Sequence, residues 1–305
     1  ARNKHKMKHF VLPLLLFTAF FQSNAQYWQQ AADYTMEVSL DTKTANYSGV
    51  QTLVYTNNSP ETLHKVFYHL YFNAFRPGSE MAVRLKSSPD RNGRFKVDLD
   101  SLTKEQQGLL KVSNLTQDGV AVQTVDSETI LEVILNQPIP PGGTTTFELD
   151  FEGHVPDVIR RAGKNSAEGV AFSMAQWYPK MAEYDLEGWN ADPYTGREFH
   201  GVWSDFDVKI TLNKDFMVAA SGYLQNADEI GKGYSDRKKP KTKKGEITWH
   251  FVAPQVHDFT WAADPEYIHD THPGPNDVTL HFFYKNNPDI IENWKKLQPH
   301  TAQMF

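Results

Sequence analysis

The sequence predicts an all-β protein: a multi-sheet antiparallel β-sandwich that ends in one helix. Three observations carry this. Short alternations of apolar and polar residues, the period of a half-buried strand, recur along most of the chain. Clusters of Asn, Asp, Gly and Pro separate them at short intervals, as in antiparallel sheet systems. Aromatic residues make up 13% of the 305 residues and fall in clusters with Val, a composition that favours strands. A chain of this length buries a sizeable core. It contains no Cys, so it has no disulfide frame, thiolate metal site or Cys nucleophile.

The first 25 residues have a basic start, an apolar run over 10–21 and small residues at Ser23 and Ala25, the pattern of a cleaved signal peptide. Translation is expected to start at Met7, with 1–6 an upstream extension, and the mature chain at Gln26. An uncleaved anchor helix is the alternative, although the run is short for a bilayer. Export to the periplasm or the extracellular space follows from the leader. Its removal takes Arg2, Lys4, Lys6 and Lys8 and no acid, so 31 basic and 37 acidic residues become 27 and 37. That balance argues against a nucleic-acid partner, and the mature chain has no membrane span.

From residue 26 the strands follow in order. "YTMEVSLD" (34–41) alternates through Met36, Val38 and Leu40. "YSGVQTLVYTNNS" (47–59) ends in an Asn-Asn-Ser-Pro turn. "TLHKVFYHLYFN" (62–73) is apolar on both faces and reads as an inner strand. Residues 76–110 are polar and read as a loop insertion with a short helix at 102–110. Strands return at 111–119, 120–125, 128–135 and 144–153, the last two separated by "NQPIPPGG", which no central strand admits. Residues 205–212, 216–225, 245–252, 259–270 and 277–285 continue the series. The basic run "RKKPKTKK" (237–244) lies between strands and reads as a solvated hairpin loop. At the end, Asn287-Pro288-Asp289 starts a helix whose Ile290, Ile291, Trp294 and Leu297 share a face until Pro299 interrupts it. This gives a β domain over 26–285 and the start of a second, helical and truncated domain over 286–305.

Known catalytic signatures are absent from the sequence. None of the twelve His precedes a Glu, so H-E-x-x-H is missing, as are G-x-S-x-G and the phosphate-binding glycine motifs. Weaker constellations remain. "HDTH" (269–272) offers two imidazoles but precedes Pro-Gly-Pro and reads as a solvated loop. Asp205 and Asp207 share a strand face at a spacing a glycosidase pair could use, and strand-edge acids are ordinarily the wet face. Glu183, Asp185, Glu187 and Asp192 invite Ca²⁺ without EF-hand spacing, and "NADPYTG" (190–196) explains them as turn residues.

Four stretches, in order, resemble a known family. Residues 174–222, beginning "MAQWYPKMAEYDLEGW", 47–75, "PIPPGGTTTFELDFEGHVP" (138–156) and "VHDFTWAADPEY" (256–267) are similar to the amino-terminal domain of aminopeptidase N-like zinc metallopeptidases, in their secreted bacterial branch. The likeness covers 34–305. It implies a saddle-like all-β domain followed by a thermolysin-like helical domain that carries the zinc, its His and Glu ligands, the general-base Glu and the Gly-x-Met-Glu-Asn motif. All of these would lie downstream, with the helix from Asp289 as the first of that domain. No catalytic or metal-binding residue is then expected in this chain, which would be inactive alone.

The resemblance also implies a role for the β domain. A Gln or Glu from one of its loops helps hold the ammonium of the peptide's amino end. Gln176 is the local candidate; this branch has Trp-Tyr-Pro after it where better-known members have Arg followed by Phe-Pro-Cys. Tyr178 and Trp177 would wall the pocket or pack beneath the loop. The expected partners are peptides, through their amino termini, and the downstream domain. A rival from another class is a non-catalytic β-sandwich module that binds glycans or proteins.

Overall fold

The computed structural model describes residues 27–88, 97–196 and 200–304. The leader and the Met7 start lie outside them. In chain order, β1 (Ala31–Leu40), β2 (Asn46–Thr56) and β3 (Leu63–His69) open the fold. They bury alternate residues, Tyr34, Met36 and Val38 on β1 and Leu53 and Tyr55 on β2, as the period of two requires. A 3₁₀ turn, Tyr71–Ala74, then leads to α1 (Glu80–Ser87).

Here the sequence expectation is corrected. The insertion's helix is α1, not 102–110. Ser79 caps it, its hydroxyl accepting from Ala82 N at 3.1 Å. Residues 102–110 instead hold a 3₁₀ turn, Lys104–Gln106, and the first residues of β4 (Leu109–Gln117), because Leu110 is drawn into the core beside Asn73.

β5 (Val120–Ala121), β6 (Gln123–Ser127), β7 (Ile130–Ile139) and β8 (Thr144–His154) follow. The short strands β9 (Gly163–Lys164), β10 (Phe172–Met174), β11 (Lys180–Met181), β12 (Tyr184–Asp185) and β13 (Gly188–Trp189) cross the segment that carries the family resemblance. Next are β14 (Trp203–Asn213), β15 (Met217–Ala220), β16 (Tyr223–Leu224), α2 (Ala227–Ile230) and β17 (Glu246–Val256). β18 (Trp261–Asp264), β19 (Tyr267–Pro273), β20 (Thr279–Lys285) and α3 (Pro288–Ala302) complete the chain.

Three expected strands are each divided: 120–125 parts at Val122 into β5 and β6, which join different sheets. Residues 216–225 split at Gly222, whose φ of +80° turns the chain where a Cβ would lie 2.3 Å from the Val252 carbonyl oxygen. Residues 259–270 split at Pro265, which has no N–H for a ladder. The "HDTH" run lies on β19, not in a loop. α3 continues through Pro299 to Ala302: proline's fixed φ is helical, one backbone bond is lost, and Gln303 N reaches back to the Pro299 carbonyl at 3.2 Å.

The strands form an eight-stranded sheet in the order β16-β17-β14-β1-β2-β8-β4-β5 and two four-stranded sheets, β11-β3-β7-β6 and β15-β18-β10-β9, with hairpins β12-β13 and β19-β20. β3 is an inner strand, as its two apolar faces predict. Between the named strands the pairings are antiparallel except at the centre of the large sheet, where β1 runs parallel to β14 from Ala31↔Trp203 to Ser39↔Thr211. One core joins the sheets. Tyr68 of β3 meets Phe147 of β8 edge-on at 6.3 Å, and Tyr34 of β1 stacks on Phe206 of β14 at 4.8 Å. α3 rests on the β19-β20 hairpin, with Trp294 stacked on Tyr284 at 5.1 Å and Gln298 donating to Asp270 at 3.0 Å. No helix of the described residues is long and apolar enough to cross a membrane.

Candidate functional site

Residues 175–183 connect two of these sheets. β10 is tied to β18 with Phe172 opposite Ala263 and Met174 opposite Trp261. Two residues later Gln176 adopts a left-handed backbone, φ 62°, which costs a non-glycine residue roughly 1–2 kcal/mol. Its side chain is buried, and its Nε2 has no hydrogen-bond partner. Such a group ordinarily costs about 1–3 kcal/mol. Gln176 thus combines a strained backbone with an unsatisfied buried amide, the kind of local inconsistency that collects at functional sites.

The three residues that follow Gln176 with polar side chains, Trp177, Tyr178 and Lys180, all bond to one three-residue segment before β18. The Trp177 indole N–H donates to the Phe259 carbonyl at 3.1 Å. The Tyr178 hydroxyl donates to Asp258 Oδ1 at 2.8 Å, and Phe259 N–H donates to the same oxygen at 2.9 Å. Lys180 Nζ donates to the His257 carbonyl at 2.8 Å and lies 3.3 Å from Asp258 Oδ2. From the other side, the Tyr47 hydroxyl donates to the Trp177 carbonyl at 2.6 Å, and Met181 N–H donates to the Tyr34 hydroxyl at 2.9 Å.

Tyr178 and Trp177 are both fully buried. Tyr178 sits edge-on to Tyr34 and Phe206, and Trp177 edge-on to Trp261. They pack beneath the loop.

The electrostatics follow from burial. Desolvation pulls the Lys180 ammonium below the usual lysine range, while Asp258 pulls it back. Burial pushes the Glu183 carboxyl up to about 7; Asp185 adds to the shift and Lys180 opposes it. Across the sheet, His69 pairs in register with Lys180 and stacks on Tyr71 at 4.9 Å. Burial brings His69 down to about 4, against a hydrogen bond at 3.0 Å to the Asn190 carbonyl.

The other candidates are dispersed. Asp185 closes its own hairpin, accepting from Glu187 N at 2.8 Å and Asn190 Nδ2 at 2.9 Å, so the four acids do not converge. Asp205 accepts from Gln255 N at 2.7 Å and Asp207 pairs with His250 at 2.7 Å, both on the outer face of the large sheet. His269 and His272 are three apart on a strand and point to opposite faces; His269 instead meets His281 at 2.8 Å. Among the described residues no group of three or more His, Cys, Asp or Glu could hold a metal. Lys180, Asp258 and His69 were not singled out by sequence reasoning, and Glu183 only as one of four acids weighed for Ca²⁺. The available signal was that "WYPK" and "HDF" both fall in family-like segments.

No family model matches the sequence, and no curated protein matches it. Among solved structures, the chain is similar to an M1 zinc metallopeptidase from Deinococcus radiodurans, with a TM-score of 0.50 and 16% identity over 88% of this chain and 52% of that one. It is also similar to a mutant of that enzyme bound to a Tyr-Ser-Ala substrate, with a TM-score of 0.49 and 17% identity over 88% of this chain and 52% of that one. The chain spans about half the length of the structures it matches. At these identities the likeness is one of fold.

Proposed function

We propose that the chain is the amino-terminal β domain of an exported zinc metallo-aminopeptidase, and that it forms the wall that receives the free amino end of a peptide. The observation that carries this is Gln176, buried and left-handed, whose side-chain oxygen accepts no hydrogen bond from the described residues, in the segment most similar to the family. Counting one residue from a peptide's end requires a polar group that meets an ammonium, and junctions between domains are favoured places for such groups. The Gln176 amide oxygen supplies the acceptor. Tyr178 and Trp177 hold the wall from beneath.

The described residues do not fit a zinc site. In this reading the metal, which polarises the scissile carbonyl and activates water, belongs to a helical domain downstream. α3 is its first helix, and the domain boundary falls between 285 and 286. The β domain contributes binding and orientation of the amino end. A glycan-binding module is less well supported: a cleft of about 1060 Å³ at one end of the large sheet has one aromatic in its lining, the buried Tyr47.

The test is Gln176→Ala in the full-length gene product. KM for peptides with a free amino terminus should rise about tenfold or more, the scale of a misplaced substrate. Unchanged KM and kcat would sink the assignment. An H-E-x-x-H in the coding sequence beyond Phe305 would support the catalytic half, and a stop codon there would favour the binding module.

A further inference from the structure

We infer that Lys180 and Asp258 are positioning residues for Gln176: the ion pair between the buried Lys180 and the half-buried Asp258 closes a staple that holds the Gln176 backbone in its left-handed conformation. This rests on the role proposed for Gln176, and it adds two residues for which that role gives no part.

The topology carries it. Upstream of Gln176, β10 is laddered to β18, Trp261–Asp264. Downstream, Trp177, Tyr178 and Lys180 bond to His257, Asp258 and Phe259. Both attachments therefore end on one continuous stretch, 257–263, and Gln176 is the bridge between them. A left-handed Gln relaxes to ordinary φ unless both flanks are fixed. A slip of the downstream flank by one residue would break its bonds together.

The pair is a poor choice if stability alone were at stake. A buried Lys that meets a half-buried Asp is often no better than an apolar residue of like volume, and the best-attested use of such a pair is to fix a register. Here the register is set twice. Asp258 uses one oxygen for Tyr178 and Phe259 N and the other for Lys180. Gly201 leaves room for the ammonium, since a Cβ there would stand 2.7 Å from Lys180 Nζ. A side chain at 201 would crowd the end of Lys180 along this path to His257 and Asp258.

Two measurements test the staple. The first is hydrogen exchange on this chain. Lys180→Met and Gly201→Ala should each speed exchange across 174–182 while exchange in β1 and β2 stays as in the parent. Unchanged exchange across 174–182, or a uniform rise over the whole domain, would overturn the inference.

The second is a double-mutant cycle on KM in the full-length gene product, with free-amino-terminal peptides. Lys180→Met should raise KM about tenfold with Gln176 present and add little once Gln176 is Ala. An equal rise in both backgrounds would make the pair merely structural. A flat response to Gln176→Ala itself overturns the proposed function and leaves the exchange result standing. If Lys180→Met does not fold, Lys180→Met/Asp258→Leu, which leaves no lone charge, takes its place in both measurements with the same expected results.

Discussion

Residues 175–183 and 184–196 adjoin in the chain, and together they look functional in sequence, dense with aromatics, carboxylates and turn residues. In the fold they differ. From Gln176 to Glu183 every residue is buried, and each hydrogen bond described for its side chains ends on a distant segment. From Tyr184 to Asn190 the chain is a two-stranded hairpin whose polar groups mostly serve their own turn, with Leu186 at its tip 83% exposed. The difference teaches that a functional-looking composition has two sources. Local turn chemistry explains most of the hairpin's polar groups. It leaves the left-handed Gln176 and the Lys180–Asp258 pair unexplained, and those are the residues that call for a role.

The contrast can be broken by substitution. Trp177→Ala should cost about 3–5 kcal/mol, the range for a buried large aromatic, in chemical denaturation. Leu186→Ala, at the exposed tip, should stay within about 0.5 kcal/mol. Equal losses would erase the distinction.

Next in size is the acid response. His69 is held near 4, below its unfolded value, so its contribution is present above about pH 6.5 and is lost as pH falls toward 4. The loss should approach about 3 kcal/mol, and His69→Gln should flatten that limb of the stability profile.

Glu183 has the opposite sign. Its carboxyl is raised to about 7, so its stabilisation is complete below the unfolded value and is lost as pH rises through 7. Glu183→Gln should therefore stabilise the domain at pH 8 by about 1 kcal/mol, after allowance for solvent screening, and change nothing at pH 4. A gain at pH 4 would assign the effect to packing. The smallest effect is expected on the outer face, where Lys209→Met removes an exposed ion pair with Glu37 and should cost less than about 0.5 kcal/mol.

Much of the fold was legible because alternation reports directly which side of a strand is buried. Tyr34, Met36 and Val38 show this on β1. It does not report neighbours, so nothing announced that β1 pairs in parallel with β14. It also fails where one residue overrides the pattern, as Gly222 and Pro265 do in dividing two runs. α1 was missed because it is a short polar helix held by one Ser79 cap. Of the site, Gln176 was reached through resemblance and Tyr178 with it. Lys180 and Asp258 were invisible as a pair, since an ion pair between distant segments leaves no periodic trace in either.

The parallel pairing of β1 with β14 has a temporal consequence. β1 lies fourth in the eight-stranded sheet, yet one of its two partners begins roughly 170 residues later, on the order of ten seconds or more of synthesis at about 5–20 residues per second. Through that interval β1 and β2 can join while the far edge of β1 stays open, a template for a wrong strand. Asp33, Thr35 and Glu37 place polar side chains along its outward face, where charge works against misassembly until the ribosome delivers β14.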